Sequence, residues 1–259
     1  MHEKLSVVII TKNEEEKIAR CLESVKWANE VVVVDGYSTD RTVGICGGFG
    51  AKVIQHQFEG DFGKERNIGA DAASGYWILQ LDADDVVTPE LKNRIEEILR
   101  SDFPYVAYKF HRKNFFLGHF MRYGGWYHYY PHLYKRGLAR YDGKVHHLLK
   151  TDGKIGTLEE AVEHYPFQDF EQFVDRQNRY TSLEAKEILE KEGVLDTKVI
   201  SYNLKVKPLK LFWKMYIKKM GFREGMHGLV FAILYAWVHF IKWAKYWEEV
   251  KARGKIKEI

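Results

Sequence analysis

The sequence predicts an α/β protein built on a mostly parallel sheet with helices on both faces. Three observations lead there. Short apolar runs alternate with amphipathic stretches through the first hundred residues. Those runs are apolar at every position rather than at alternate ones, as strands buried on both faces require. Polar residues cluster just after several of them, where such sheets bind ligands. At 259 residues, the chain suits one such domain with an appendage.

Leu5–Ile10 (LSVVII) is the first expected strand, and Glu14–Val25 sets Ile18, Cys21, Leu22 and Val25 on one helical face. Val31–Val34 is a second strand. The helix expected from Asp40 is weak, because Gly44, Gly47, Gly48 and Gly50 disfavour it. Ala51–Gln55 is a short third strand, Lys64–Ala73 a helix and Tyr76–Leu81 a fourth strand. Thr88 caps the next helix, which has Pro89 at its first position and runs to Leu99. After Asp102 the texture changes. Residues 103–135 hold 13 of the 38 aromatics, and His119, His128 and His132 fall among them with His146 and His147 shortly after. This stretch reads as strands and loops over a pocket. A polar helix is expected from about Asp169 to Lys191, then a basic aromatic tail from Pro208. The expected organisation is one domain at 1–207, with a first half at 1–102 and a second half at 103–207, followed by a helical tail at 208–259.

An apolar share of 46% against 29% charged residues excludes disorder and supplies a full-sized core. The formal charge of +4 is too mild to imply a nucleic-acid partner. Its placement is more informative, since the segment from Pro208 onward carries +7. Cys21 and Cys46 form no disulfide framework, and no secretory signal opens the chain, so a cytoplasmic protein is expected. The longest apolar run, Leu229–Val238, is about half of the roughly 20 residues a membrane span needs. Trp213, Trp237, Trp243 and Trp247 lie in the tail, with Lys242 and Lys245 beside the last two. That composition suits an interfacial helix touching the inner face of the cell membrane.

Three polar clusters follow strands: Thr11-Lys12-Asn13-Glu14, Asp35-Gly36-Tyr37-Ser38-Thr39-Asp40, and Asp82-Ala83-Asp84-Asp85. Turn and cap chemistry accounts for either of the first two taken alone. The third is different, because three crowded carboxylates repel one another unless a cation or solvent relieves them. Carboxylate oxygens suit Mg²⁺ or Mn²⁺, which also bridge a diphosphate. A dinucleotide fingerprint is absent, since the glycines at 44–50 do not sit between the first strand and its helix. Pro131 between His128 and His132 argues against a helical metal pair.

The segments Leu5–Glu14, Val33–Thr42, Lys64–Asn67 and Leu81–Asp84 stand in the order and spacing of family 2 glycosyltransferases, which the chain resembles. Gly124–Tyr127, Leu133–Gly137, Val145-His146 and Lys219–Phe222 are similar to the lipopolysaccharide-core glucosyltransferase subgroup. The resemblance implies a Rossmann-like nucleotide-diphospho-sugar transferase fold and inverting, metal-dependent transfer of a hexose. Glucose is the subgroup's commonest sugar, UDP the implied carrier, and a hydroxyl of a glycan or lipid-linked acceptor the implied target. By the same resemblance Thr11, Asn13, Glu14, Asp35, Lys64, Arg66, Asn67, Asp82 and Trp126 contact the nucleotide sugar, Asp35 at the uracil ring. Asp82 and Asp84 match the DxD pair, with Asp84 the direct metal ligand. The subgroup's acid after the Trp-Tyr pair is replaced by His128-Tyr129-Tyr130, and its Val-His-Glu by Val145-His146-His147. His147, His146 and His128 are therefore the candidate bases, because imidazole titrates in the working range. Two other classes share some features: a sugar-phosphate nucleotidyltransferase and a non-catalytic nucleotide-sugar-binding module. The first expects a glycine- and Arg/Lys-rich loop where Thr11–Glu14 stands. The second is opposed by the intact Asp82/Asp84 pair.

Overall fold

The computed structural model describes residues 3–142 and 148–253, so His146 and His147 lie outside the described residues. The first four strands are β1 (Leu5–Thr11), β2 (Glu30–Asp35), β3 (Lys52–Gln55) and β4 (Trp77–Asp82), and they pair in parallel. Their connecting helices are α1 (Ile18–Val25), α2 (Thr42–Gly48) and α3 (Phe62–Ala72). Antiparallel pairing then adds β8 (His128–Lys135) to β4, and β6 (Ala107–Phe116) to β8. The sheet order is β3-β2-β1-β4-β8-β6-β11-β5, with β5 at Asp85–Val87 and β11 at Ile155–Phe167. A two-residue strand, β7 (His119–Phe120), pairs with β6, and β9 (Arg140–Asp142) pairs with β10 (Leu148–Lys150).

Alternation along β1 explains its uniform apolarity. Leu5, Val7 and Ile9 join one core with Ile18, Leu22 and Val25 of α1 and with Leu91, Ile95 and Ile98 of α4 (Pro89–Arg100). Val8, on the opposite face, joins Val32, Ile78, Ala70 and Ala73. Each Val, Leu or Ile among them contributes about 1.5–3 kcal/mol on burial. Close packing leaves no room at Gly69, where a Cβ would lie 2.3 Å from a Val8 methyl.

Most expected elements appear, with shifted ends. α1 starts at Ile18 rather than Glu14, because Asn13 takes a left-handed turn (φ 53) as the chain leaves β1. α2 lasts only seven residues, as its glycines lead one to expect. Asp61 caps α3 by accepting from the Lys64 amide at 2.8 Å, which starts that helix two residues early. Thr88 caps α4 as expected, accepting from the Leu91 amide.

The chain divides into two compact units: residues 1–113 with 128–164, and residues 114–127 with 165–259. The expected boundary at 207/208 falls inside the second unit. There α5 (Phe170–Glu192), α6 (Thr197–Lys205), α7 (Lys207–Trp213), a π-turn (Lys214–Lys218), a 3-10 turn (Gly221–Glu224) and α8 (Gly225–Ala252) pack together. By length and composition, Gly221–Ala252 suffices to cross a membrane, with a mean hydropathy of 1.3 over its most apolar part. Its uninterrupted apolar run, Leu229–Val238, is only part of that length. The expected interfacial set in α8 is also corrected. Trp243 is buried, the Lys245 ammonium is held by Asn178, Thr181 and Ser182 of α5, and Lys242 pairs with Glu184 at 2.9 Å.

Candidate active site

Parallel register brings the ends of three strands together in the first unit. Thr11 of β1 lies beside Asp35 of β2, and Ile10 lies beside Asp82 of β4. This is the switch point of a doubly wound sheet, where the crossover direction reverses and loops diverge. Two loops are stitched together there. The Asn13 amide donates to Ser38 Oγ at 2.8 Å, and Asn13 Oδ1 accepts from the Thr39 amide at 2.8 Å. The Glu14 amide donates to Thr42 Oγ1 at 2.9 Å. Asp35 is fully buried, and its carboxylate accepts from the Ser38 amide at 2.9 Å and from the Ser38 hydroxyl. The buried Thr11 hydroxyl makes no hydrogen bond among the described residues.

A charged cluster occupies the end of β4. Arg66 Nη2 donates to Asp82 Oδ1 at 2.5 Å, and Arg112 Nη2 donates to Asp82 Oδ2 at 2.5 Å. Arg112 also donates Nε to Asp85 Oδ1 at 2.9 Å and stands 3.9 Å from Asp84. Asp85 turns inward and accepts from the Asp82 amide at 2.8 Å, which gives it a structural role. Burial opposes ionisation of Asp82, yet Arg66 and Arg112 outweigh it and hold that carboxyl well below the usual range. Burial wins at Asp85, whose pKa is raised although Arg112 opposes the shift. For Arg112, burial favours the neutral form, but Asp85, Asp82 and Asp84 push its pKa up.

Asp82, Asp84 and His164 bring three ligand atoms within 4.8 Å of one another, with His164 Nε2 3.3 Å from Asp84 Oδ1. Two carboxylates and one imidazole fit a divalent first-row ion such as Mn²⁺, and the carboxylates alone fit Mg²⁺. His164 reaches the cluster because β11 sets it opposite Asp85 of β5. Sequence reasoning missed both His164 and Arg112. The available signal was period-two burial: Leu158, Val162 and His164 share one face of β11, while Phe110 and Arg112 share one face of β6 with Tyr108. A charged group on the buried stripe of an otherwise apolar strand marks a site.

The remaining candidates separate. Asn67 is a pin: its side chain donates to the Tyr141 carbonyl at 2.9 Å and accepts from the Tyr141 amide at 3.0 Å. The half-exposed Lys64 pairs with Glu59 at 2.9 Å, and Glu14 with Lys17 at 3.5 Å. His128 opens β8 and lies against Tyr130. His132, on the same strand, is buried against the Gln80 carbonyl, and burial beside Arg112 and Arg66 keeps it neutral. Trp126 belongs to the aromatic core of the second unit, stacked on Phe231 at 4.8 Å.

A sheet of this order with acidic residues at its switch point defines a nucleotide-sugar transferase fold. The Glycosyl transferase family 2 profile matches residues 6–156, and the chain belongs to that family: it is a glycosyltransferase. An uncharacterised glycosyltransferase of Rickettsia felis is 33% identical over 94% of this chain and 89% of its own length. The lipopolysaccharide core biosynthesis glycosyltransferase LpsC of Rhizobium meliloti is 25% identical over 98% of this chain and 96% of its own. Among solved structures, S. aureus TarS 1-349 in complex with UDP shares the fold. Its TM-score is 0.51 at 19% identity, covering 98% of this chain and 93% of that one.

Proposed function

We propose that the protein transfers a hexose, glucose in the leading reading, with inversion from a UDP-sugar to a hydroxyl of a glycan or lipid-linked acceptor. The observation that carries this reading is the Asp82, Asp84 and His164 cluster flanked by two arginines at the ends of the parallel strands. In this reading the acceptor oxygen bonds to the anomeric carbon as the bond to the diphosphate oxygen breaks. UDP departs with the electron pair, and a base takes the acceptor proton. The acidic cluster would hold Mg²⁺ or Mn²⁺, which supplies Lewis-acid stabilisation of the diphosphate.

The chain's own charges support that division of labour. Three carboxylates face Arg66 and Arg112, leaving about one negative charge, which a divalent ion would reverse to suit a polyanionic leaving group. Arg66 and Arg112, beside that cluster, would meet diphosphate oxygens, where Arg forks bind bidentately. In this reading Asp35 accepts from the uracil imide, with Thr11, Asn13 and Glu14 at the same strand ends. Lys64, in the N-terminal turn of α3, is the proposed basic contact to the donor, and Asn67 steadies β9 beside it. His147 is the preferred base in this proposal, with His146 and His128 the other candidates, and the one that acts would add about 10²–10⁴-fold. The likeness to LpsC, named for lipopolysaccharide core synthesis, supports an envelope glycan or glycolipid acceptor. Peripheral contact of 208–259 with the inner membrane face completes the reading.

A thermal-shift panel of nucleotide sugars with and without Mn²⁺ tests it, since a ligand that binds only the folded state raises Tm. UDP-glucose should give the largest shift, only with metal, and Asp35→Ala should lose the nucleotide effect while retaining the metal effect. Equal shifts from guanosine and uridine donors, or shifts indifferent to Mn²⁺, would overturn it.

A further inference from the structure

We infer that the second unit docks on an anionic phospholipid surface through the exposed face of α7 and the two turns after it, and not through α8. This specifies the membrane contact of the proposed reading and rests on that reading for its purpose. Its chemistry stands on the surface itself. Leu209, Trp213 and Ile217 recur every four residues along α7 and the π-turn and are 72%, 55% and 37% exposed. Lys210, Lys214 and Lys218, each one position further on, form a second exposed stripe beside them. After the left-handed break at Met220 (φ 56), Phe222 and Met226 are also exposed. An apolar stripe with Trp and Leu, edged by lysines, is the composition of a helix lying in the headgroup region. The lysine stems cover apolar surface while their ammonium groups reach outward.

Charge identifies the occupant. From Thr197 to Arg223 the chain carries eight Lys/Arg and no Asp/Glu. None of the eight pairs with a carboxylate among the described residues. The next acid, Glu224, turns inward to the Tyr123 amide and to His119, both at 2.6 Å. A second copy of the chain on this face would oppose two sets of eight cations, and a neutral partner would leave them uncompensated. Anionic headgroups satisfy them while the acyl boundary takes the apolar side chains. α8 is unsuited to crossing, although its length permits it. Its C-terminal half is pinned to α5 through Lys245 and Lys242, and α5 carries Glu171, Asp175, Glu187 and Glu190. Insertion would drag that charged helix toward hydrocarbon.

Flotation of the full chain with liposomes tests the inference. The protein should float with vesicles of phosphatidylglycerol and phosphatidylcholine, remain below with phosphatidylcholine alone, and be released by about 0.5 M salt. Each lysine near the surface is worth roughly fivefold in affinity, so Lys210→Gln/Lys214→Gln/Lys218→Gln should weaken binding on the order of a hundredfold. Leu209→Gln/Trp213→Gln should cost at least about tenfold, and both variants alter only exposed side chains. Equal flotation with neutral vesicles, or variants that float like wild type, would overturn the inference. So would resistance to alkaline carbonate, which marks a crossing helix, or a solution dimer that these variants dissociate. Turnover of the UDP-sugar is assayed in solution on the same samples. Flotation without turnover sinks the catalytic reading alone, and turnover without flotation sinks the docking surface alone.

Discussion

Arg112→Gln tests the electrostatics of the acidic cluster most directly. The Arg112 guanidinium touches Asp82 and Asp85 at 2.5 and 2.9 Å and lies 3.9 Å from Asp84. At an effective dielectric of about 20, each such pair is worth roughly 4–7 kcal/mol before desolvation. Desolvating the buried ions takes several kcal/mol back. Removing one partner keeps the desolvation of the others and loses the attraction, so the variant should lose about 3–5 kcal/mol at pH 7. The pH dependence is the sharper signature. In the wild type, Asp82 is held below its unfolded value of about 3.9, so its stabilisation is full above that value and is lost as pH falls through the folded pKa. Asp85 has the opposite sign. Its folded pKa is already raised, and without Arg112 it rises further, so the folded form takes up a proton the unfolded chain does not. The variant should therefore recover stability relative to wild type between pH 7 and pH 5. Mn²⁺ should restore part of the loss at pH 7 by returning positive charge to the cluster. Urea denaturation at both pH values, with and without Mn²⁺, measures all of this. A loss below about 1 kcal/mol at pH 7, or a gap equal at both pH values, would refute the reasoning.

His164→Ala should weaken Mn²⁺ binding by at least about tenfold in calorimetry; unchanged affinity would remove His164 from the ligand set. Burial, with Lys242 and Lys207 nearby, lowers the pKa of His239 to about 4. The unfolded chain then binds more protons, so stability falls as pH drops from about 6.5 toward 4. His239→Asn should flatten that part of the curve in thermal melts, and an unchanged slope would assign the acid loss elsewhere. Gly69→Ala should destabilise the first unit by about 1–3 kcal/mol, because its Cβ meets the Val8 and Val34 side chains. A neutral denaturation midpoint would mean that α3 can lift off β1 without cost.

By itself the sequence determined the parallel half of the sheet, the Thr88 cap and the placing of Asp82, Asp84 and Asp85 around the end of a strand. Each of these is local: both-face burial writes itself as unbroken apolar runs, and caps and turns are set by residues a few positions apart. Only the tertiary structure decided that Arg112 and His164 join those carboxylates, because antiparallel pairing carries β6 and β11 into the sheet from far along the chain. A slip of one residue in either register would turn these side chains to the opposite face, and no neighbouring residue encodes that choice. The same holds for the adjacent motif positions Arg66 and Asn67, which α3 divides between Asp82 and the Tyr141 backbone. In the tail, composition announced charge and aromatics together. Packing then decided which stayed at the surface, since α5 covers Trp243 and Lys245 and leaves Leu209, Trp213 and their lysines outside.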